Sequence, residues 1–232
     1  MKKLASKAQT GNVQLMDIFG TPHLGLFATA CESYAIIPPG LPQRKTELVS
    51  NTLGVEPIIT YIAGSSLIGA FACLNSNGVI LPKIVLEEEV EEIRKSAPSL
   101  NIYVYEGRET ALGNLLAAND HVVLVSPEIQ PNERRRIADT LGVEAITTTI
   151  AGRLHVGSIT LLTNSGGLIH VDASDGEIEL IEHRTGLKIY RATVNNGNYF
   201  VRSGILANTK GALIGSRTIG PELMVISTAL KL

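Results

Sequence analysis

Residues 67–74 form an apolar run, and Asn75-Ser76-Asn77-Gly78 supplies turn chemistry before a second apolar run over residues 79–81. That pattern predicts a β-hairpin. After Pro82 the period changes: Leu86, Val90, Ile93 and Ala97 recur at helical spacing, while Glu87, Glu88, Glu89, Glu91 and Glu92 fill the remaining positions. Acids at the start, with Arg94 and Lys95 near the end, suit the helix dipole, and Pro98 stops the helix. Residues 102–105 predict a third strand, which leads through residues 107–111 into another apolar run. The unit is therefore strand, strand, helix, strand.

This unit recurs along the chain. Gly25, Gly69, Gly113 and Gly157 are evenly spaced, Gly204 follows as a fifth, and Gly54, Pro98, Gly142 and Gly186 repeat the same interval. Such regularity is the signature of repeated supersecondary units. Each glycine motif, such as Leu24-Gly25-Leu26-Phe27-Ala28 or Ile68-Gly69-Ala70-Phe71-Ala72, predicts the start of a buried strand. Gly142 and Gly186 fall where a helix C-terminus wants a left-handed cap. The fifth copy has its helix residues Leu223, Ile226 and Leu230 but no third strand before Leu232. Residues 13–19 lie ahead of the first glycine motif at the offset of a third strand, so the N-terminus is expected to complete the last unit. That closes five units into a ring and removes a sheet edge. A four-stranded propeller blade suits the length less well, since each copy carries a helix and tryptophan is absent.

Composition narrows the partners. The chain has 232 residues, 44% of them hydrophobic, and a formal net charge of -2. It offers no overall electrostatic footprint for phosphate, so any RNA contact is expected to be local. Cys31 and Cys73 sit in apolar stretches and read as reduced core thiols, with no metal-ligand spacing. The polar start, Met1-Lys2-Lys3-Leu4-Ala5-Ser6-Lys7, lacks the apolar segment of a secretory signal, and no run reaches a membrane span. A cytoplasmic protein with no membrane partner is expected. Residues 1–12 read as a flexible extension and 13–232 as one five-repeat domain.

Gly64-Ser65-Ser66-Leu67-Ile68-Gly69, Gly78 to Pro82 with Lys83-Ile84-Val85, Thr110-Ala111-Leu112-Gly113-Asn114, Thr163-Asn164-Ser165-Gly166-Gly167-Leu168 with His170, Thr193-Val194-Asn195 and Gly220-Pro221-Glu222-Leu223 together resemble the archaeal translation initiation factor 6 family. The resemblance runs from about residue 13 to 231. It implies an α/β, pentein-like closed ring of five pseudo-symmetric subdomains. It also implies a non-enzymatic factor, without cofactor, that binds the inter-subunit face of the large ribosomal subunit and keeps the small subunit from joining. The partner would be a ribosomal protein on that face, close to the sarcin-ricin loop RNA, and the factor would act as a monomer. Two departures are the N-terminal extension and Glu32-Ser33-Tyr34 in place of an Asn-Gly turn.

Five links join each third strand to the next unit, and all should emerge on one face of the ring. They supply candidate ribosome-binding residues: His23; Gly64, Ser65 and Ser66; Arg108, Thr110 and Ala111; Gly152, Arg153 and His155; Val194 and Asn195. Asn114 joins them as the odd polar residue after a repeated glycine, where Leu26, Ala70, Ser158 and Ile205 stand in the other copies. The resemblance places the residues matching Asn114 and Val194 in or beside the binding surface. A satisfied turn amide is the plainer alternative for Asn114.

Rival readings are a pentein-type arginine-modifying enzyme and a scaffold ring that ignores the ribosome. The enzyme needs a cysteine nucleophile with histidine and acid partners. His23, His121, His155, His170 and His183 fall at unequal offsets and suggest no such set. His170 reads as a structural loop residue. The Arg134-Arg135-Arg136 run reads as a solvated outer helix face, because three consecutive helical residues cannot share one side.

Overall fold

In the computed structural model, described here for residues 12–232, five three-stranded sheets each contain one antiparallel hairpin and one parallel strand. In the second unit, Cys73–Leu74 pairs antiparallel with Gly78–Pro82, which pairs parallel with Asn101–Tyr105. The parallel strand is reached through the helix Glu87–Ser96, as a parallel crossover requires. The N-terminal strand Asn12–Met16 pairs in parallel with Gly211–Gly215, in register Asn12 with Gly211 through Met16 with Gly215. The segment expected over residues 13–19 thus completes the fifth sheet, ending three residues earlier. Of the expected extension 1–12, residues 1–11 lie outside the described residues, and Asn12 belongs to the strand.

The glycine motifs fold differently from the expectation. They are short helical turns, Leu24–Phe27, Ile68–Phe71 and Leu112–Leu115, and the strands begin only after them. Close packing around the axis explains this. A Cβ on Gly69 would run into the carbonyl oxygen of Gly25, one on Gly113 into that of Gly69, and one on Gly157 into that of Gly113. Each of these three turns therefore rests its backbone against the turn of the preceding unit, a contact that a Cβ at Gly69, Gly113 or Gly157 would block.

The same contact identifies the fifth member of this ring. A Cβ on Gly25 would meet the carbonyl oxygens of Arg202 and Ile205, as one on Gly69 meets those of Gly25 and Ala28. Arg202, not Gly204, is the structural counterpart of the repeated glycine. The reason is one extra residue in the last link. Isolated bridges close the links as Ile18 with Thr21, Ile62 with Ser65 and Ile150 with Arg153, but as Val194 with Asn198 in the fifth.

The ends of the strands opposite these turns are tied by side-chain amides. Asn75 Nδ2 donates to Asn119 O (3.1 Å) and Leu141 O (2.8 Å), and Asn119 Nδ2 donates to Thr163 O (3.0 Å). Asn208 Nδ2 donates to Cys31 O (3.2 Å) and Leu53 O (2.8 Å), joining the fifth unit to the first. In the first hairpin, which lacks the asparagine, the Tyr34 N–H donates to Cys31 Sγ at 3.3 Å. Buried amides satisfied in this way fix the register between units.

Candidate functional site

At the opposite end of the ring, the links are tight turns with an unusual backbone. Phe19 (φ 50°), Ala63 (φ 56°), Ala151 (φ 51°) and Asn195 (φ 55°) hold the left-handed conformation without being glycine. Such residues persist only where surroundings fix them. Glu89 shows how: its carboxylate accepts from the N–H groups of Ala63 (2.7 Å), Gly64 (2.7 Å) and Leu86 (3.0 Å). Glu222 accepts from Asn196 N (3.0 Å), Gly197 N (2.8 Å), Ile219 N (2.9 Å) and Thr193 Oγ1 (2.6 Å). Burial pushes the Glu222 carboxyl up, but these donors outweigh it and hold it below the ordinary carboxylate range.

Glu89 is thus buried, although the helical spacing leaves it outside the apolar positions Leu86, Val90, Ile93 and Ala97. The sequence did carry a signal: Glu89, Glu133, Glu177 and Glu222 recur at the repeat interval, each three residues after a helix N-cap. Lys45 stands at that position in the first unit and donates to Asp17 O at 2.6 Å. Glu133 is instead bonded by the Tyr103 hydroxyl at 2.6 Å, and Glu177 accepts from Ser174.

Over the axis at this end lies a cleft of about 440 Å³, lined by His23, Leu26, Asn114, His155, Ser158, Asn198, Phe200 and Ser203. Its composition follows from the ring. Leu26, Asn114, Ser158 and Ser203 each follow a ring position, while His23, His155 and Phe200 each stand two residues before one. Ser203, rather than Ile205, is therefore the counterpart of Asn114 in the fifth unit. The cleft brings together three of the expected residues, His23, Asn114 and His155. Ser203 Oγ donates to Phe200 O (2.7 Å) and Ser158 Oγ to His155 O (2.9 Å), so hydroxyls brace the cleft from within.

From the cleft an aromatic strip extends over the fourth unit. Phe200 and Tyr199 lie 4.6 Å apart, Tyr199 packs 4.8 Å from His170, and Arg153 lies over the Tyr199 ring at 5.5 Å. Burial, and then the Arg153 charge, lower the His170 pKa, so the ring is neutral near pH 7. Its Nδ1 accepts the Asp172 N–H at 3.0 Å, as a loop histidine should. Leu67, Leu154, Tyr199 and Phe200 remain exposed, as do Arg153 and Arg108.

Other expected residues are placed less favourably. Val194 is fully buried in the core and presents no side chain to a partner, because the bridge to Asn198 turns it inward. Asn195 spends its amide on Pro22 O (2.9 Å) and on Thr218, sealing the seam between the fifth and first units. Gly64 and Gly152 are exposed at turn tips, Ser65 and Ser66 are half-buried, and Thr110 and Ala111 flank the third link. Of the arginine run, Arg134 donates to Ile129 O (2.5 Å) and Pro127 O (2.9 Å) and Arg136 pairs with Glu106, leaving Arg135 solvated.

The sequence matches the eIF-6 family over residues 13–229. The chain belongs to the eIF-6 family. Translation initiation factor 6 of Saccharolobus islandicus (strain L.S.2.15 / Lassen #1) is 39% identical over 220 residues, which is 94% of this chain and 99% of that protein. The Pyrococcus horikoshii protein of the same name is 36% identical over 223 residues, 94% of this chain and 98% of its own. Membership of the eIF-6 family makes the chain a translation initiation factor, and the repeated sheets are those of a pentein-like α/β ring. Among solved structures, a dimethylarginine dimethylaminohydrolase aligns at a TM-score of 0.47, with 16% identity, over 73% of this chain and 68% of that one.

Proposed function

We propose that this eIF-6 family member binds the large ribosomal subunit on its inter-subunit face and blocks joining of the small subunit, with the cleft end of the ring as the contact. The observation that carries the reading is the strip Arg153, Tyr199 and Phe200 beside an open, apolar cleft on backbone pinned by Glu89 and Glu222. Aromatic and arginine side chains on a rigid platform are what interface hot spots use. A bulky ring seated there excludes a second subunit by occupying its docking surface.

The partner surface is a ribosomal protein with nearby sarcin-ricin loop RNA meeting Arg108 and Arg153, and the protein acts in the cytoplasm. With a net charge of -2, binding should depend on salt less steeply than a phosphate-driven interaction. Gradient sedimentation with both purified subunits tests the proposal. The protein should travel with large subunits and lower the yield of joined ribosomes. Free protein at the top of the gradient with normal joining overturns the reading. The arginine-modifying alternative finds no nucleophile: burial pushes both Cys31 and Cys73 up to about 11, and neither lines the cleft.

A further inference from the structure

Four of the ring positions are glycines, and the fifth carries an arginine side chain. The Arg202 guanidinium crosses to three other units: Nη1 donates to Gly69 O (2.5 Å) and Gly113 O (3.3 Å), and Nη2 to Thr29 Oγ1 (3.2 Å). Three of its five N–H donors are accounted for. A cavity of about 20 Å³ adjoins the head group, walled by Thr29, Cys73, Leu116, Thr160 and Leu161. Protein packs densely around Arg202, yet the residue keeps some accessible surface. The cavity wall reconciles the two.

This charge has no counter-ion among the described residues. No carboxylate among the described residues lies within ion-pair distance of Arg202. The acids at the hairpin end, Asp120 and Glu32, accept from Ser76 and Asn164 and from Thr209 respectively. The Cys73 thiol, on the cavity wall, is pushed up to about 11 by burial and stays neutral. Arginine keeps its proton even where burial lowers its pKa. A desolvated charge without a partner is strongly unfavourable. On the same wall, Thr160 Oγ1 is buried with no hydrogen-bond partner. Thr29 Oγ1 accepts from Arg202, so its own proton is free to donate.

The geometry points to a small monovalent anion of halide size bound in the axial cavity, held by the Arg202 guanidinium and the hydroxyls of Thr29 and Thr160. The volume admits a particle about the size of a water molecule and excludes phosphate or any nucleotide. Ring closure and ion binding are then linked, because the ion meets residues from the first, fourth and fifth units together.

Two measurements test this with the whole chain. Melting midpoints in sodium chloride and sodium gluconate at equal ionic strength should diverge for the native protein. Each tenfold rise in chloride above the dissociation constant should raise the midpoint by about 3–5 °C. Arg202→Met should lose that chloride-specific increment; an increment shared by both proteins is a general salt effect and overturns the site. If Arg202→Met fails to fold, crystals of the native protein grown in bromide decide. An anomalous peak beside Arg202, Thr29 and Thr160 supports the proposal, and density without anomalous signal, or none, overturns it.

Discussion

The two ends of the ring use polar side chains in opposite ways. At the hairpin end, Asn75, Asn119 and Asn208 turn their amides onto the backbone of the neighbouring unit, and Ser76, Asp120 and Asn164 bond one another. That end is self-satisfied and leaves little for a partner. At the cleft end, Glu89 and Glu222 bond the backbone of the links, while arginine, histidine and aromatic side chains stay outward. Rigid backbone with unspent side chains is what a binding surface requires. A repeat protein can thus give its two faces separate tasks although every unit shares one architecture.

The sharpest way to break the comparison is to disturb the ring on which both ends depend. Gly113→Ala would drive a methyl group into the Gly69 carbonyl oxygen, a backbone atom that cannot swing aside. A loss of about 4 kcal/mol is expected, lowering the melting midpoint by roughly 8–16 °C. Gly176→Ala is the control, since nothing lies within 4 Å of the added carbon. It should leave the midpoint unchanged or raise it slightly, because alanine favours the helix Asp175–Thr185. Equal effects of the two changes would show that the glycines do not pack as described.

Next in size is a matched pair, one residue from each end. Asn75→Ala strands the carbonyl of Asn119 and the N–H groups of Asn77 and Gly78, and Glu89→Ala strands the N–H groups of Ala63 and Gly64. Each should cost about 2–3 kcal/mol of stability in denaturant unfolding. They should differ in subunit binding, measured by sedimentation below the midpoint of either variant: Glu89→Ala weakens it and Asn75→Ala does not. If both variants bind alike, the pinned links are not the platform for the partner.

Much of this architecture was legible in the sequence because periodicity reports burial directly. The apolar run before Asn75 and the helical spacing of Leu86, Val90 and Ile93 each gave the right hairpin or helix, and residues 13–19 gave the closing strand. What was missed depends on contacts between units. Residues 68–71 are as apolar as a strand, and only the carbonyl of Gly25 against Gly69 makes them a helical turn. Arg202 was hidden because one residue inserted among 195–197 shifts the last unit, so that aligning glycines selects Gly204. His23, Asn114 and His155, which line the cleft, were singled out because the two histidines lie in the links and Asn114 follows a ring glycine. Phe200 and Tyr199 were not, since the same shift masks their position.

A smaller effect separates the two ends by binding alone. Arg153→Glu and Phe200→Ala alter exposed side chains of the strip and should leave folding intact. Each should weaken binding to large subunits about 10- to 100-fold, as expected for central contacts. Ser33→Arg, an exposed change at the hairpin end, should alter affinity less than about threefold. Weakening by Ser33→Arg with full binding by the strip variants would place the contact on the wrong end of the ring.

The smallest expected effect is a pH dependence confined to the cleft end. Burial lowers the folded-state pKa of His170 below the ordinary value of 6.5, so the unfolded chain takes up this proton first as pH falls. Stability from the neutral ring is therefore complete above about pH 6.5 and declines as pH falls through the folded-state pKa. Glu222 is lowered from 4.5, so its contribution is present above 4.5 and is lost only as pH drops further. Two steps should appear in unfolding free energy measured against pH, an upper one from His170 and a lower one from carboxylates. His170→Gln should remove the upper step, well under 2 kcal/mol, and keep the lower one. An upper step that survives in His170→Gln would assign it to another group and leave the Arg153, Tyr199 and His170 cluster without a titrating member.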